Sequence, residues 1–137
     1  MKAVVDASSL LLMMKHLKEA ELLKKLNDTA TLDLAAYEAG NGLWKWVSLK
    51  KSVSLDEAKS LLLSLTKIFS IDGFTVISWK NLNHPAILDL AVENNVTFYD
   101  ACYITASVTL KTPLITEDEK LKRVATKHTR VLSWKEF

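Results

Sequence analysis

The sequence predicts an α/β fold of three layers, α/β/α, with a central parallel sheet of four to five strands. Two observations predict it. Short apolar runs bounded by turn residues alternate with longer segments whose apolar residues recur at three- and four-residue spacing. Strands separated by helices need crossover connections, so neighbouring strands run parallel and both sheet faces are covered. The chain has 137 residues, 49% hydrophobic and 25% charged. That is enough to close one compact core, and residues 1–137 are read as a single domain.

Lys2-Ala3-Val4-Val5-Asp6 is a short apolar run ending on a carboxylate, a buried strand with Asp6 at its carboxyl end. Ser8 and Ser9 offer cap chemistry for a helix through Leu10, Leu11, Leu12 and Met14. A second helix from Glu19 to Leu26 spaces Leu22, Leu23 and Leu26 for one apolar face, and Asn27-Asp28 breaks it. Thr29 to Leu32 is a second strand. From Asp33, a candidate cap, Leu34, Ala35, Ala39, Leu43 and Trp46 recur on one side of a helix that carries Glu38.

Ser54 and Glu57 stand at capping-box spacing and open a helix to about Phe69, with Leu55, Ala58, Leu61, Leu62, Leu65 and Ile68 inward. Asp72-Gly73 marks a turn into a third strand, Phe74 to Ile77. His84-Pro85 places proline in the first turn of a helix, where its missing N–H does no harm. Asn94-Asn95 ends that helix, and another begins near Tyr99 with Asp100 in its first turn. Pro113 to Thr116 is a fourth strand; Asp118 follows as a helix through Leu121, Val124 and Ala125 starts, and Arg130 to Leu132 is a final strand.

Composition narrows the function classes. A formal net charge of +2 lacks the large basic excess of a sequence-independent nucleic-acid binder. Any such contact needs local basic clusters, as at Lys45, Lys50 and Lys51, or Lys120, Lys122 and Arg123. One cysteine, Cys102, excludes an internal disulfide framework and suits a reducing cytosol. With no secretory signal and no apolar stretch near the roughly 20 residues of a membrane span, the expectation is a cytoplasmic protein with no membrane partner. Three glycines, at 40, 42 and 73, leave no phosphate-cradling loop.

Chemistry points to the acids. In an open parallel sheet, ligands gather beyond the carboxyl ends of the strands. Asp6 ends the first strand, Asp118 follows the fourth, and Glu38 and Asp100 sit in early helical turns at that same edge. Each has an ordinary explanation alone, since acids in a first turn complement the helix dipole. A charge after Val4-Val5 at a buried strand end needs a reason, and the combination of four carries the weight. Crowded carboxylates are tolerable when cations neutralise them. Oxygen ligands without paired His or Cys favour Mg²⁺ or Mn²⁺, which polarise a phosphodiester oxygen and lower the pKa of a water. His16, His84 and His128 have no ligand spacing. Cys102 reads as a buried structural thiol, and Trp44, Trp46, Trp79 and Trp134 as core or interface packing residues rather than base-stacking ones.

Four segments resemble a known family. Val4-Val5-Asp6-Ala7-Ser8 resembles the opening strand of PIN domains, and Leu34 to Trp44 is similar to the helix that carries their Glu. Thr97-Phe98-Tyr99-Asp100-Ala101-Cys102-Tyr103 resembles their Thr-x-Tyr-Asp-Ala-x-Tyr segment, and Pro113 to Leu121 their closing Thr-x-Asp-x-x-Leu motif. The segments fall in the family's order across nearly the whole chain, with no motif between Lys45 and Asn95. The resemblance implies a PIN-like fold and an endoribonuclease using Mg²⁺ or Mn²⁺ that leaves a 5′-phosphate and a 3′-hydroxyl. Asp6, Glu38, Asp100 and Asp118 would hold the metal, with Thr116 and Ser8 orienting Asp6 or the metal's water. Within the family the chain looks like the VapC toxins of type II toxin–antitoxin pairs, usually homodimers silenced by a small VapB-like antitoxin.

Glu117 and Glu119 flank Asp118 and leave open which acid completes the site, and Lys111-Thr112 replaces a glycine common in relatives. A phospho-aspartate receiver domain shares the sheet class but needs adjacent acids after its first strand, which are missing beside Asp6. A catalytically silent PIN-like scaffold that binds RNA or a protein is the other alternative.

Overall fold

A computed structural model describes residues 1–137. Five parallel strands form one sheet: β1 (Ala3–Val5), β2 (Thr29–Leu32), β3 (Phe74–Ile77), β4 (Leu114–Ile115) and β5 (Val131–Leu132), in the order β3-β2-β1-β4-β5. β1 is central, pairing Ala3 with Thr29 of β2 and Val4 with Leu114 of β4. Its Ala-Val-Val run is fully buried on both faces, as a continuous apolar strand in a parallel sheet should be.

The helices are α1 (Ala7–His16), α2 (Glu19–Leu26), α3 (Leu34–Ser48), α4 (Leu55–Ile68), α5 (His84–Asn94), α6 (Phe98–Leu110) and α7 (Glu119–Ala125), with a 3₁₀ turn over Trp79–Asn81. The chain steps from β1 outward to β3, then returns across the sheet to β4. Right-handed crossovers therefore send α1–α4 to one face and α5–α7 to the other. Packing agrees: α1, α3 and α4 contact one another, while α5 pairs with α6, which lies on β1 and β4. No helix is long and apolar enough to cross a membrane.

Local chemistry sets the element ends. Ser54 Oγ accepts the Glu57 N–H at 3.1 Å and opens α4, and Asn83 Oδ1 accepts the Ala86 N–H to open α5. Asp33 fixes two starts at once, accepting the Leu34 N–H at 2.9 Å and the Trp79 N–H at 3.0 Å. Lys111, at the glycine position, closes α6 in the left-handed region at φ 53°. The turn thus keeps the geometry that glycine would adopt without steric penalty.

Three expectations are corrected. Ser8 and Ser9 do not cap α1: Asp6 does, and both serines lie within the helix. Leu55 and Leu62 of α4 point outward, because α4 packs on α1 and α3 rather than on the sheet and buries only Ala58, Leu65 and Ile68 fully. Trp44 and Trp79 are more than half exposed, which removes core packing for these two and leaves the interface half of the expectation.

Candidate active site

The strand order reverses between β1 and β4, and the crevice beyond their carboxyl ends is where such sheets take ligands. A cleft of about 580 Å³ opens there. Asp6, Ser8, Glu38, Asp100 and Asp118 all line it, together with Tyr37, Lys45, Trp46 and Tyr103 among others. Glu38 arrives on α3 from one helical layer and Asp100 on α6 from the other, so the two layers meet over the sheet edge.

Asp6 sits deepest, only 5% exposed. Its backbone still belongs to the sheet, donating its N–H to Ile115 O at 3.1 Å, while its side chain accepts the Ser9 N–H at 2.9 Å and caps α1. Burial pushes its carboxyl up from 3.8 to about 6; hydrogen bonds from Thr116 and Ser9 oppose this, and the neighbouring Asp118 charge adds to it. Asp118 is exposed and caps α7, accepting the Leu121 N–H at 2.8 Å.

Burial also raises Glu38 and Asp100. For Glu38, the Tyr103 hydroxyl bond opposes the rise while Asp6 and Asp100 add to it. For Asp100, Asp118 adds and Lys120 opposes. Asp6, Glu38 and Asp100 are each raised in part by the charge of another acid of the cleft.

Thr116 does not line the cleft but stands behind it, 2% exposed, with Oγ1 accepting the Asp118 N–H at 3.1 Å and the side chain hydrogen-bonded toward Asp6. It ties the two strand-end acids together. Glu117 is committed elsewhere, its Oε1 accepting the Trp134 N–H at 2.9 Å, and neither Glu117 nor Glu119 lines the cleft. The histidines lie outside: His16 stacks on Trp134, His84 on Trp79, and His128 faces Asn94. Cys102 is buried, its thiol pushed up to about 11 by burial, Glu38 and Asp33, which suits a structural thiol.

Tyr103, the last residue of the Thr97–Tyr103 segment, is a site residue that the sequence alone does not single out. It is 2% exposed and donates its hydroxyl to Glu38 Oε1 at 2.6 Å. Its signal was the three-residue spacing from Asp100, which places both on one face of α6.

The four acids offer only oxygen ligands, the set that suits Mg²⁺ or Mn²⁺. No three acids, histidines or cysteines converge on one ion-sized point. Mg²⁺ fits such an open arrangement, since it binds one or two carboxylates and keeps several waters. Partly buried, mutually repelling carboxylates are also what a cation relieves.

No family model matches the chain. It is 34% identical over 125 residues to ribonuclease VapC3 of Pyrobaculum aerophilum, covering 88% of this chain and 92% of that protein. It is 35% identical over 121 residues to exonuclease VapC9 of the same organism, covering 86% and 81%. Among solved structures, the P. aerophilum protein PAE2754 superposes with a TM-score of 0.74 at 31% identity, covering 95% of this chain and 83% of that one. VapBC2 from Rickettsia felis, bound to a promoter DNA fragment, shares the fold with a TM-score of 0.64 at 17% identity, covering 98% and 99%.

Proposed function

The chain belongs to the VapC ribonuclease family, and from that premise we propose that it is a divalent-metal-dependent endoribonuclease hydrolysing RNA phosphodiester bonds at the cleft of Asp6, Glu38, Asp100 and Asp118. The observation that supports this best is that four acids, from four separate segments, line one cleft at the crevice between β1 and β4. Mg²⁺ or Mn²⁺ held there would supply Lewis-acid polarisation of the phosphoryl oxygens and lower the pKa of a water.

The chain's own residues have distinct tasks. Asp6 and Asp118 would hold the ion from the two strand ends, and Thr116 ties the two together. Asp100 offers a third carboxylate from the opposite helical layer. Glu38 is oriented by Tyr103 and takes up or positions the proton of the attacking water. Ser8, exposed at the start of α1, orients that water from the cleft wall.

Family membership also supports the biological setting: a cytoplasmic toxin that pairs with a second copy and is silenced by a VapB-like antitoxin covering the cleft. Leu88 and Val92, exposed one turn apart on α5, supply apolar surface for such contacts.

The test is cleavage of a circular RNA, which has no end for an exonuclease to enter. Mg²⁺- or Mn²⁺-dependent linearisation, abolished by chelator and by Asp100→Asn, is expected. Cleavage of linear RNA alone would make the protein an exonuclease. No cleavage of either by folded, partner-free protein would leave a silent scaffold.

A further inference from the structure

Two tyrosines stand on the rim of the acid cleft with no packing reason to be there. Tyr37, 82% exposed, immediately precedes Glu38 on α3; Tyr99, 58% exposed, immediately precedes Asp100 on α6. One residue along a helix is a rotation of about 100°. With each acid turned into the cleft, the tyrosine before it is carried to the edge. Because α3 and α6 belong to opposite layers, the rings flank the acids from two sides. Neither ring has a partner. Trp46 is occupied by Lys15 at 5.1 Å, Trp79 by His84, and the Tyr103 hydroxyl by Glu38, whereas Tyr37 and Tyr99 take part in no ring pair, cation contact or hydroxyl hydrogen bond.

The α3 wall continues from Glu38 through Asn41 and Gly42 to Lys45, residues at helical spacing on one face, and Lys50 lies beyond the helix end. Lys45 stands about 10 Å along the axis from Glu38. Neither lysine has a carboxylate within ion-pair distance; the molecule's one ion pair joins the Met1 amino group to Asp28. Free ammonium groups along one wall and free aromatic faces at the rim are what a groove for single-stranded nucleic acid presents.

We propose that Tyr37 and Tyr99 stack on bases of an unpaired RNA strand on either side of the phosphodiester presented to the acids, and that Lys45 and Lys50 take phosphates farther along that strand. The clamp rests on RNA being the substrate of the cleft. A duplex offers no free base face to either ring.

Binding is read in chelator at low salt, so that cleavage plays no part. The probe is an oligoribonucleotide of about ten unpaired nucleotides carrying 2-aminopurine, with the same strand annealed to its complement as control. The wild type is expected to quench the single strand and not the duplex. Tyr37→Leu and Tyr99→Leu each abolish part of the quench and weaken binding about 5- to 150-fold, the equivalent of about 1–3 kcal/mol per stacked base. Tyr37→Phe and Tyr99→Phe restore both. Lys45→Gln weakens binding and lowers the salt slope by about 0.7, the single-strand value for one phosphate contact.

Leucine variants that bind and quench like the wild type overturn the clamp, as does a duplex bound as tightly as the strand. So does failure of the strand to bind at all, which would leave the rim to a protein partner. A wild type that quenches through its tyrosines yet cleaves nothing with Mg²⁺ or Mn²⁺ upholds the clamp and sinks the nuclease instead.

Discussion

The hydroxyl of Tyr103 donates to Glu38 Oε1 at 2.6 Å and joins the two helical layers directly over the carboxyl edge of the sheet. Burial and the Glu38 charge hold the tyrosine well above its usual titration range, so it stays a donor. Removing it leaves a half-buried carboxylate without its partner. Tyr103→Phe is expected to destabilise the fold by about 1.5–3 kcal/mol, the range for a hydrogen bond to a charged group. It is also expected to lower kcat more than it raises KM. Because the bond lowers the Glu38 pKa, its loss moves the acidic limb of the pH–rate profile to higher pH. Urea denaturation and that profile check both; an unmoved limb would leave the tyrosine a packing residue only.

Asp6 opposes stability where it serves the site. Its native carboxyl titrates near 6 and its unfolded one near 3.8, so between those pH values the native state holds more protons. Stability therefore falls as pH rises through this window, by on the order of 3 kcal/mol at ~1.4 kcal/mol per pH unit. Asp6→Asn keeps an oxygen for the Ser9 N–H and removes the buried charge. In chelator at pH 8 the variant is expected to be more stable than the wild type, and with Mg²⁺ added it is expected to be inactive where the wild type cleaves. The difference between their stability curves should close toward pH 4. A difference that does not change with pH would dissociate Asp6 from the effect.

Metal should reverse that penalty. Mg²⁺ at a hundredfold its Kd adds about 2.7 kcal/mol to a site that exists only in the folded state, and each kcal/mol is worth roughly 3–5 °C at this size. Thermal melts of the wild type are expected to rise with Mg²⁺ or Mn²⁺, and those of Asp118→Asn much less. K⁺ at matched ionic strength should do little. An equal rise with K⁺ would reduce the effect to screening.

The two glycines of α3 should respond oppositely to alanine. A Cβ on Gly40 meets nothing within 4 Å, whereas one on Gly42 lies 3.1 Å from Leu11 Cδ1, at the crossing of α3 and α1. Gly40→Ala is expected to stabilise by about 0.5–1 kcal/mol through helix propensity alone, with RNA cleavage unchanged. In Gly42→Ala that gain is offset by displacing Leu11. Equal melting shifts for the two would contradict the close helix crossing.

The sheet was legible because its strands are short apolar runs set between helices, and the acids because they fall where strands stop. Asp6 and Asp33 show where legibility ends. Both follow a strand and both cap a helix, yet Asp33 spends its oxygens on the Leu34 and Trp79 N–H groups, while Asp6 keeps one face toward the cleft. Only the packing of neighbouring elements separates them. The α4 leucines failed for a related reason. Apolar residues on several sides of a helix do not reveal which side a neighbour covers, so Leu55 and Leu62 read as inward and lie outward. The rim tyrosines were invisible as such, since exposure is a property of the assembled layers.

The pairing of β1 with β4 joins residues more than a hundred positions apart, Val4 with Leu114 and Val5 with Ile115. Asp6 is thus made more than a hundred residues before Asp118 and the strand that seats it. Until β4 has emerged and paired, β1 has a bare flank, Thr116 cannot reach toward Asp6, and the crevice has one wall. A nascent chain that has released β1 but not yet β4 therefore holds Asp6 and Asp118 apart, and the two strand-end acids meet only when the sheet closes.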